Sequence, residues 1–193
     1  PEVGCGDLDY LQMQDRISAE SGGISASFSA KGKIDDVQDL EGYIVFNGKA
    51  LSRNREALTR LLNDVFNGAR FDEKERVREL IAQIRSRREQ AVTGSGHALA
   101  MGAASQGISP GAWLSFRLGG LEAIRGVKAL DKSLSDPAEL DRFCERLAAL
   151  HERIRNQSRQ FLLIGEEEQL DPMLTEMKTV WGDSGAGEQA AWK

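Results

Sequence analysis

Strand-like patterns occupy only three short stretches of this sequence, and a long helical stretch separates the second from the third. Residues 24–30 alternate strictly between apolar side chains and serines, which is the period of a strand with one covered face. Residues 43–46 are apolar throughout and predict a central strand covered on both faces. Residues 161–164 predict a third short strand. The sequence therefore predicts an α+β fold, with helices packed on an antiparallel sheet and a large helical insertion.

Several predicted helices carry recognisable start signals. Asp7 is expected to cap a first helix over residues 8–19. Asp136-Pro137 opens another helix, because an acidic cap followed by proline satisfies the first turn. Residues 93–110 are rich in Gly, Ala and Ser, which suits close helix packing more than a flexible linker. Further helices are predicted from apolar stripes that follow Asn54, Asp72, Pro110, Gly120 and Asp171.

Three strands make a small sheet for so many helices, and we expect a partner strand to precede Pro1. The expected domain covers residues 1–181 and lacks that upstream strand, while residues 182–193 are expected to form a linker or tail. An incomplete sheet leaves backbone donors and acceptors unpaired at its edge. The isolated chain is therefore expected to dimerise through an exposed sheet edge.

Composition argues against several classes of function. The 193 residues carry a formal net charge of -5, so we expect no nucleic-acid partner and no attraction to anionic membranes, and a basic partner is mildly favoured. No stretch approaches the roughly 18 apolar residues of a membrane-spanning helix. Cys5 and Cys144 are too far apart in sequence for a disulfide framework or a Cys-x-x-Cys metal site, which indicates a reducing compartment.

The histidines do not form a metal-binding or catalytic pattern. His97 and His151 are the two histidines of the chain, and neither has a second His or Cys at ligand spacing. Ser95 and His97 point in different directions if they lie on a helix, so they do not pair as nucleophile and base. We therefore assign no catalytic, cofactor-binding or metal-binding residue.

Two charged runs have a simple structural interpretation and a functional alternative. Arg76, Arg78, Arg85, Arg87 and Arg88 alternate with glutamates, which is typical of a solvated helix face with intrahelical ion pairs. The alternative is contact with nucleic acid or an acidic partner. Residues 166–168 are three glutamates, interpreted as a polar turn after the last strand, with attraction of basic peptides as the alternative.

A set of short motifs runs in order along most of the chain, from about Gly6 to about Glu168. It comprises Gly22-Gly23-Ile24, Gly48-Lys49-Ala50-Leu51 with Asn54, Phe71-Asp72, Ser95-Gly96-His97 and Gly119-Gly120-Leu121. Together these motifs resemble the presequence-protease branch of the pitrilysin/insulinase zinc metallopeptidases. The chain looks like most of the third, non-catalytic domain of such an enzyme, with the region typical of that branch.

This resemblance implies a role without implying a site. In the family, four related α+β domains close around a chamber in which zinc held by the first domain cuts unfolded peptides. The zinc motif His-x-x-Glu-His does not occur here, so the chain alone is expected to be inactive and to need no cofactor of its own. The implied partners are the other domains of one polypeptide and a peptide in the chamber. We expect a cytoplasmic location, with a mitochondrial or plastid matrix as the alternative.

Another class of function fits the same helices. The apolar stripes within residues 77–92 and 140–154 are typical of helices that dock a partner protein. A helical binding or assembly module without a peptidase role is therefore the alternative hypothesis. A tight partner unrelated to any peptidase would favour it.

Overall fold

The computed structural model describes residues 2–182, and it is an α+β fold dominated by helices. A helix α1 (Tyr10–Glu20) precedes two antiparallel strands, β1 (Ile24–Gly32) and β2 (Leu40–Gly48). A single 3-10 turn then leads into the remaining helices. These are α2 (Arg55–Gly68), α3 (Lys74–Gly94), α4 (Gly96–Ser105), α5 (Pro110–Gly119), α6 (Leu121–Ser133), α7 (Pro137–Arg155) and α8 (Glu167–Trp181).

The described chain divides into two compact units. Among the described residues, the first unit contains residues 2–26, 46–70 and 148–182, and the second contains residues 27–45 and 71–147. The hairpin and α7 each supply residues to both. Each unit has buried apolar residues of its own.

The core of the first unit lies between α1 and α2. Met13 and Ile17 are one turn apart on α1, and Leu61 and Val65 are one turn apart on α2. These four pack together with Cys5, because helical residues four apart share one face. Leu8, Ile24 and Phe46 cover the cluster.

The second unit is a set of neighbouring helices. Helix α3 packs against α6 and α4, while α5 packs against α4 and α6. Its buried apolar side chains are Val77, Leu134, Leu140 and Cys144. Ser109 caps α5 by accepting a hydrogen bond from the Ala112 backbone N–H at 3.2 Å, and Asp136 caps α7 in the same way through Ala138 at 2.9 Å.

The structure corrects the predicted burial of β2. Tyr43 and Ile44 are 47% and 42% exposed, so this strand is not covered on both faces. The predicted apolar face of β1 is also open, since Phe28 is exposed. The reason is that the described sheet is a two-stranded hairpin, whose faces receive little helix packing from the described elements.

Three further predictions of local structure were wrong. Residues 161–164 form no strand, because no described strand pairs with them. Helix α8 begins at Glu167 instead of near Asp171, so Pro172 lies inside it. Asp9, not Asp7, caps α1, because Asp9 and Gln12 exchange two hydrogen bonds of 2.9 and 3.0 Å, the geometry of a capping box. The predicted tail at residues 182–193 lies, apart from Gly182, outside the described residues.

Candidate functional site

Gly48 ends β2 at a place where a side chain does not fit. A Cβ on Gly48 would lie 2.6 Å from Leu58 Cδ1 and 3.2 Å from Ile24 Cγ2, below the separation of ordinary carbon contacts. The next residue, Lys49, accepts a hydrogen bond from the Gly22 backbone N–H at 2.7 Å through its carbonyl. This part of the Gly-Lys-Ala-Leu motif therefore serves packing between the hairpin end and α2.

Gly120 lies at the junction of α5 and α6. A Cβ on Gly120 would lie 2.5 Å from the carbonyl oxygen of Phe116 and 2.7 Å from its ring. The Gly120 N–H donates to that same oxygen at 2.7 Å, which closes the end of α5. The Gly-Gly-Leu motif is thus explained by local backbone geometry.

Packing does not explain the Ser-Gly-His motif. Ser95 lies between α3 and α4, but its side chain makes no capping hydrogen bond there. A Cβ on Gly96 would meet no described atom within 4 Å. His97 is exposed and has no polar partner among the described residues. Gly96 and His97 are exposed, whereas Ser95 is half-buried, so contacts within the described chain do not account for the exposed pair.

The segment that begins with this motif has no charged side chain of its own. The sequence has no Asp, Glu, Lys or Arg between Glu89 and Arg117. Within that interval Met101 is 68% exposed, and Ile108 and Trp113 are exposed as well. We call residues 95–116 the uncharged surface. An exposed apolar area without charge is typical of the centre of a protein interface.

Three of the five arginines in the run form ion pairs, as predicted for a solvated helix face. Arg76 pairs with Glu79 at 3.2 Å, and Arg78 lies 3.7 Å from Glu75. Arg85 pairs with Glu89 along α3 and with the mostly buried Asp131 of α6. These arginines are neutralised by acidic side chains of the same chain. The alternative, that the run binds nucleic acid, is therefore less favoured.

The histidines do not come together. His97 belongs to the second unit and His151 to the first. The Nε2 atom of His151 lies 2.8 Å from the carbonyl oxygen of Phe66, so that nitrogen donates a hydrogen bond to the end of α2. Within residues 2–182 no group of three or more His, Cys, Asp or Glu is arranged to hold a metal ion. Over the same residues no helix is both long and apolar enough to cross a membrane.

Both cysteines are buried as free thiols. Burial raises the pKa of the Cys5 thiol, and the Asp64 carboxylate raises it further. Cys5 Sγ donates to the carbonyl oxygen of Asp64 at 3.0 Å. Burial likewise raises the pKa of the Cys144 thiol, as expected for a small core residue. A raised thiol pKa lowers the thiolate fraction, so neither cysteine is an activated nucleophile.

An aromatic cluster in the first unit was not predicted from the sequence. Its rings are Phe46, Phe66, Phe161 and Trp181, in contact pairwise with centroid separations of 5.2 to 5.5 Å. The Arg159 guanidinium lies over Phe66 at 5.5 Å and over Trp181 at 6.0 Å, within the range of a cation-π interaction. The four rings come from distant parts of the chain, so no local pattern indicated them.

The three glutamates lie next to this cluster along the chain. Glu166 is the N-cap residue of α8, and Glu167 and Glu168 are in its first turn. Carboxylates at a helix N-terminus complement the helix dipole. Deeper in α8, Gln169 and Glu176 accept hydrogen bonds from Arg55 at 3.0 and 2.8 Å, which joins α8 to α2. The predicted polar turn is therefore the start of a helix.

Comparison with known proteins places these features in a family. The family described as Peptidase M-16C associated matches residues 1–130. The mitochondrial presequence protease of Danio rerio is 33% identical over 132 residues, which cover 67% of this chain and 13% of that protein. Presequence protease 1, chloroplastic/mitochondrial, of Arabidopsis thaliana is 27% identical over 141 residues, 72% of this chain and 13% of that protein.

A bacterial relative extends the comparison. Protein HypA of Clostridium perfringens is 28% identical over 100 residues, 52% of this chain and 10% of that protein. The chain thus spans 13% of the length of the zebrafish and Arabidopsis relatives. The resemblance to the presequence-protease branch is confirmed, and the chain belongs to the Peptidase M-16C associated family.

Proposed function

We propose that this chain is a non-catalytic, chamber-forming domain of a zinc-dependent metalloendopeptidase that degrades short unstructured peptides. The observation that carries the proposal is the family match over residues 1–130, in a chain that spans 13% of the presequence proteases it resembles. The sequence lacks His-x-x-Glu-His. The zinc and the catalytic groups are therefore assigned to other domains of the same polypeptide.

The partners follow from this role. The other domains of the polypeptide cover part of the chain, and a peptide substrate occupies the enclosed space. The exposed backbone edges of β1 and β2 give the isolated chain a route to dimerisation. The compartment that fits the zebrafish and Arabidopsis relatives is a mitochondrial or plastid matrix, because their names place those proteins in mitochondria or chloroplasts.

Purified chain, incubated with zinc and a set of unstructured peptides, tests the inactive role. We expect less than stoichiometric zinc by elemental analysis and no cleavage by mass spectrometry. Independent preparations purified by different routes distinguish a contaminating peptidase, because its activity per mole of chain differs from one preparation to the next. Cleavage with the same activity per mole of chain in every preparation contradicts the proposal.

One observation favours a second candidate function, the helical binding module. The uncharged surface exposes Met101, Ile108 and Trp113 on α4, α5 and the turn between them. A surface of this kind docks an apolar partner. If this candidate is correct, the chain captures a protein unrelated to peptidases, and replacement of Met101 and Trp113 by serine should abolish that capture. If the chain captures no such protein, the helical binding module is excluded.

A further inference from the structure

The outward face of α4 has no charged residue, although this face is open to water in the described chain. His97, Ala100, Met101 and Ala104 recur at helical spacing and are all exposed. Elsewhere α4 packs against α3 and α5. A surface helix normally carries charged or polar residues on its outward face, and a helix that is apolar on all sides is normally buried. The sequence of α4 therefore fits a helix that is covered on both faces.

The apolar surface continues from α4 to α5. Met101 is 68% exposed, Ile108 in the intervening turn is 74% exposed, and Trp113 on α5 is 53% exposed. Arg117 is the first charged residue after the uncharged surface, and its guanidinium lies 5.8 Å from the Trp113 ring centroid and pairs with Glu122. An apolar centre bordered by charged residues is the usual composition of a protein interface.

The small residues of α4 favour a helix as the partner. A Cβ at Gly96 or Gly102 would meet no atom of a neighbouring element within 4 Å, so the packing of the described chain does not require these glycines. Glycine is also a poor helix former. Gly96, Ala100 and Ala104 follow one another at intervals of four residues on the exposed face. Because the distance between two packed helices depends on the side chains at the contact, these small residues allow a second helix to come close.

The size of the uncharged surface discriminates between a separate protein and a connected domain. Two ten-residue helices, each about 15 Å long and about 10 Å wide, present on the order of 300 Å² side by side. A stable complex of separate proteins covers about 800 Å² on each partner. A partner within the same polypeptide is held at a high effective concentration, so a smaller contact suffices. The relatives offer such a partner, because the part matched here is 13% of the zebrafish protein.

We infer that the outward face of α4 binds an apolar helix from another domain of the same polypeptide. Met101 and Ile108 pack between the side chains of that helix, and Trp113 borders the contact. A charged residue on this face would be buried without a partner, which explains why the interval between Glu89 and Arg117 has none. This inference rests on the proposed function and identifies the surface through which the chain joins the rest of the enzyme.

Oxidation of methionine by hydrogen peroxide, followed by mass spectrometry, tests whether this face is covered. The full chain alone is compared with a chimera in which this chain replaces the matching segment of the zebrafish presequence protease. In the chain alone, exposed Met101 should oxidise rapidly and buried Met13 slowly, because exposure governs the rate. In the chimera, oxidation of Met101 should slow several-fold and approach the rate of Met13.

A pair of substitutions tests the same contact through stability. Ala100→Arg adds bulk and charge to the outward face of α4. It should leave the unfolding temperature of the chain alone unchanged, since Ala100 is exposed there, and should lower that of the chimera. Ala19→Arg is the matched control, because Ala19 is exposed on α1 beside Asp15 and Ser18. This control should change the unfolding temperature of neither protein.

Rapid oxidation of Met101 in a folded, zinc-loaded chimera would overturn the inference, and so would equal effects of Ala100→Arg and Ala19→Arg on the chimera. The chain alone provides a test that does not depend on how well the chimera folds. Its rate of Met101 oxidation should be independent of chain concentration. A rate that falls as the concentration rises would show that a second copy covers α4, and would also overturn the inference.

These outcomes are separable from the test of inactivity. An exposed Met101 in a folded chimera refutes the helix contact, while the non-catalytic role stands if the chain alone cleaves no peptide. Cleavage by the chain alone, with the same activity per mole in every preparation, refutes the proposed function whatever the oxidation rate of Met101.

Discussion

Gly120 shows how a single missing side chain fixes the junction between α5 and α6. Because its obstacle is the backbone oxygen of Phe116, the clash cannot be relieved by rotating a flexible side chain. Gly120→Ala should lower the free energy of unfolding by about 1–3 kcal/mol, the usual cost of overpacking. Denaturant unfolding monitored by circular dichroism provides the measurement.

Gly126 is the matched control for that substitution. It lies within α6, and an added Cβ meets no described atom within 4 Å. Gly126→Ala should raise the free energy of unfolding by about 0.5–1 kcal/mol, because alanine restricts the unfolded chain more than glycine does. If both substitutions change the free energy of unfolding equally, the close contact with Phe116 is not the reason for a glycine at position 120.

The buried thiols predict how stability depends on pH. The folded state holds the protons of Cys5 and Cys144 more tightly than the unfolded chain does, since burial raises both pKa values. Their contribution to stability is complete below the ordinary thiol pKa and is lost as pH rises through the raised values. Stability should therefore fall on the alkaline side, and Cys5→Ala should make that fall shallower. Denaturant unfolding at a series of pH values provides the measurement.

The reactivity of the two thiols is an independent test of the burial of Cys5 and Cys144. Both thiols should react slowly with a disulfide reagent in native buffer and rapidly in denaturant. Fast reaction of either thiol in the native protein would contradict its burial.

At the scale of elements, the structure and the sequence disagree most clearly about the start of α8. Pro172 lies six residues into a helix that begins at Glu167, where proline removes a hydrogen bond to the carbonyl of Glu168. Pro172→Ala should then stabilise the protein by about 1–3 kcal/mol, within the range of proline's cost inside a helix. Unchanged stability would instead place the start of the helix at Asp171, where proline is well tolerated.

Helices were predictable because their signals are local. The stripes on α1 and α2 and the cap at Asp136 depend on residues within a few positions of one another. Strand burial was not predictable, because the covering of residues 43–46 depends on which elements come to lie beside them. The same reason explains the strand expected at residues 161–164. Its apolar sequence was recognised correctly, but pairing requires a neighbour that is absent from residues 2–182.

Across the whole molecule, the motifs that indicated the family have different structural explanations. Gly48 and Gly120 are required by close contacts within this chain. The Ser-Gly-His motif and the uncharged surface have no such internal reason, and they fit a piece whose remaining contacts lie in a longer polypeptide. The aromatic cluster was missed because its rings are brought together only by the tertiary fold.

In the proposed role, this chain encloses peptides for a catalytic centre located elsewhere. The test of that role is a chimera in which this chain replaces the matching segment of the zebrafish presequence protease. The measurement is the ratio of cleavage rates for a short unstructured peptide and for a folded protein that contains the same sequence. Zinc content and thermal unfolding verify that the chimera is intact.

The chimera should keep its zinc and a strong preference for the short peptide, and deletion of the segment should remove this preference. A folded, zinc-loaded chimera that cuts both substrates equally fast would contradict the enclosing role. So would a deletion variant that still excludes the folded protein.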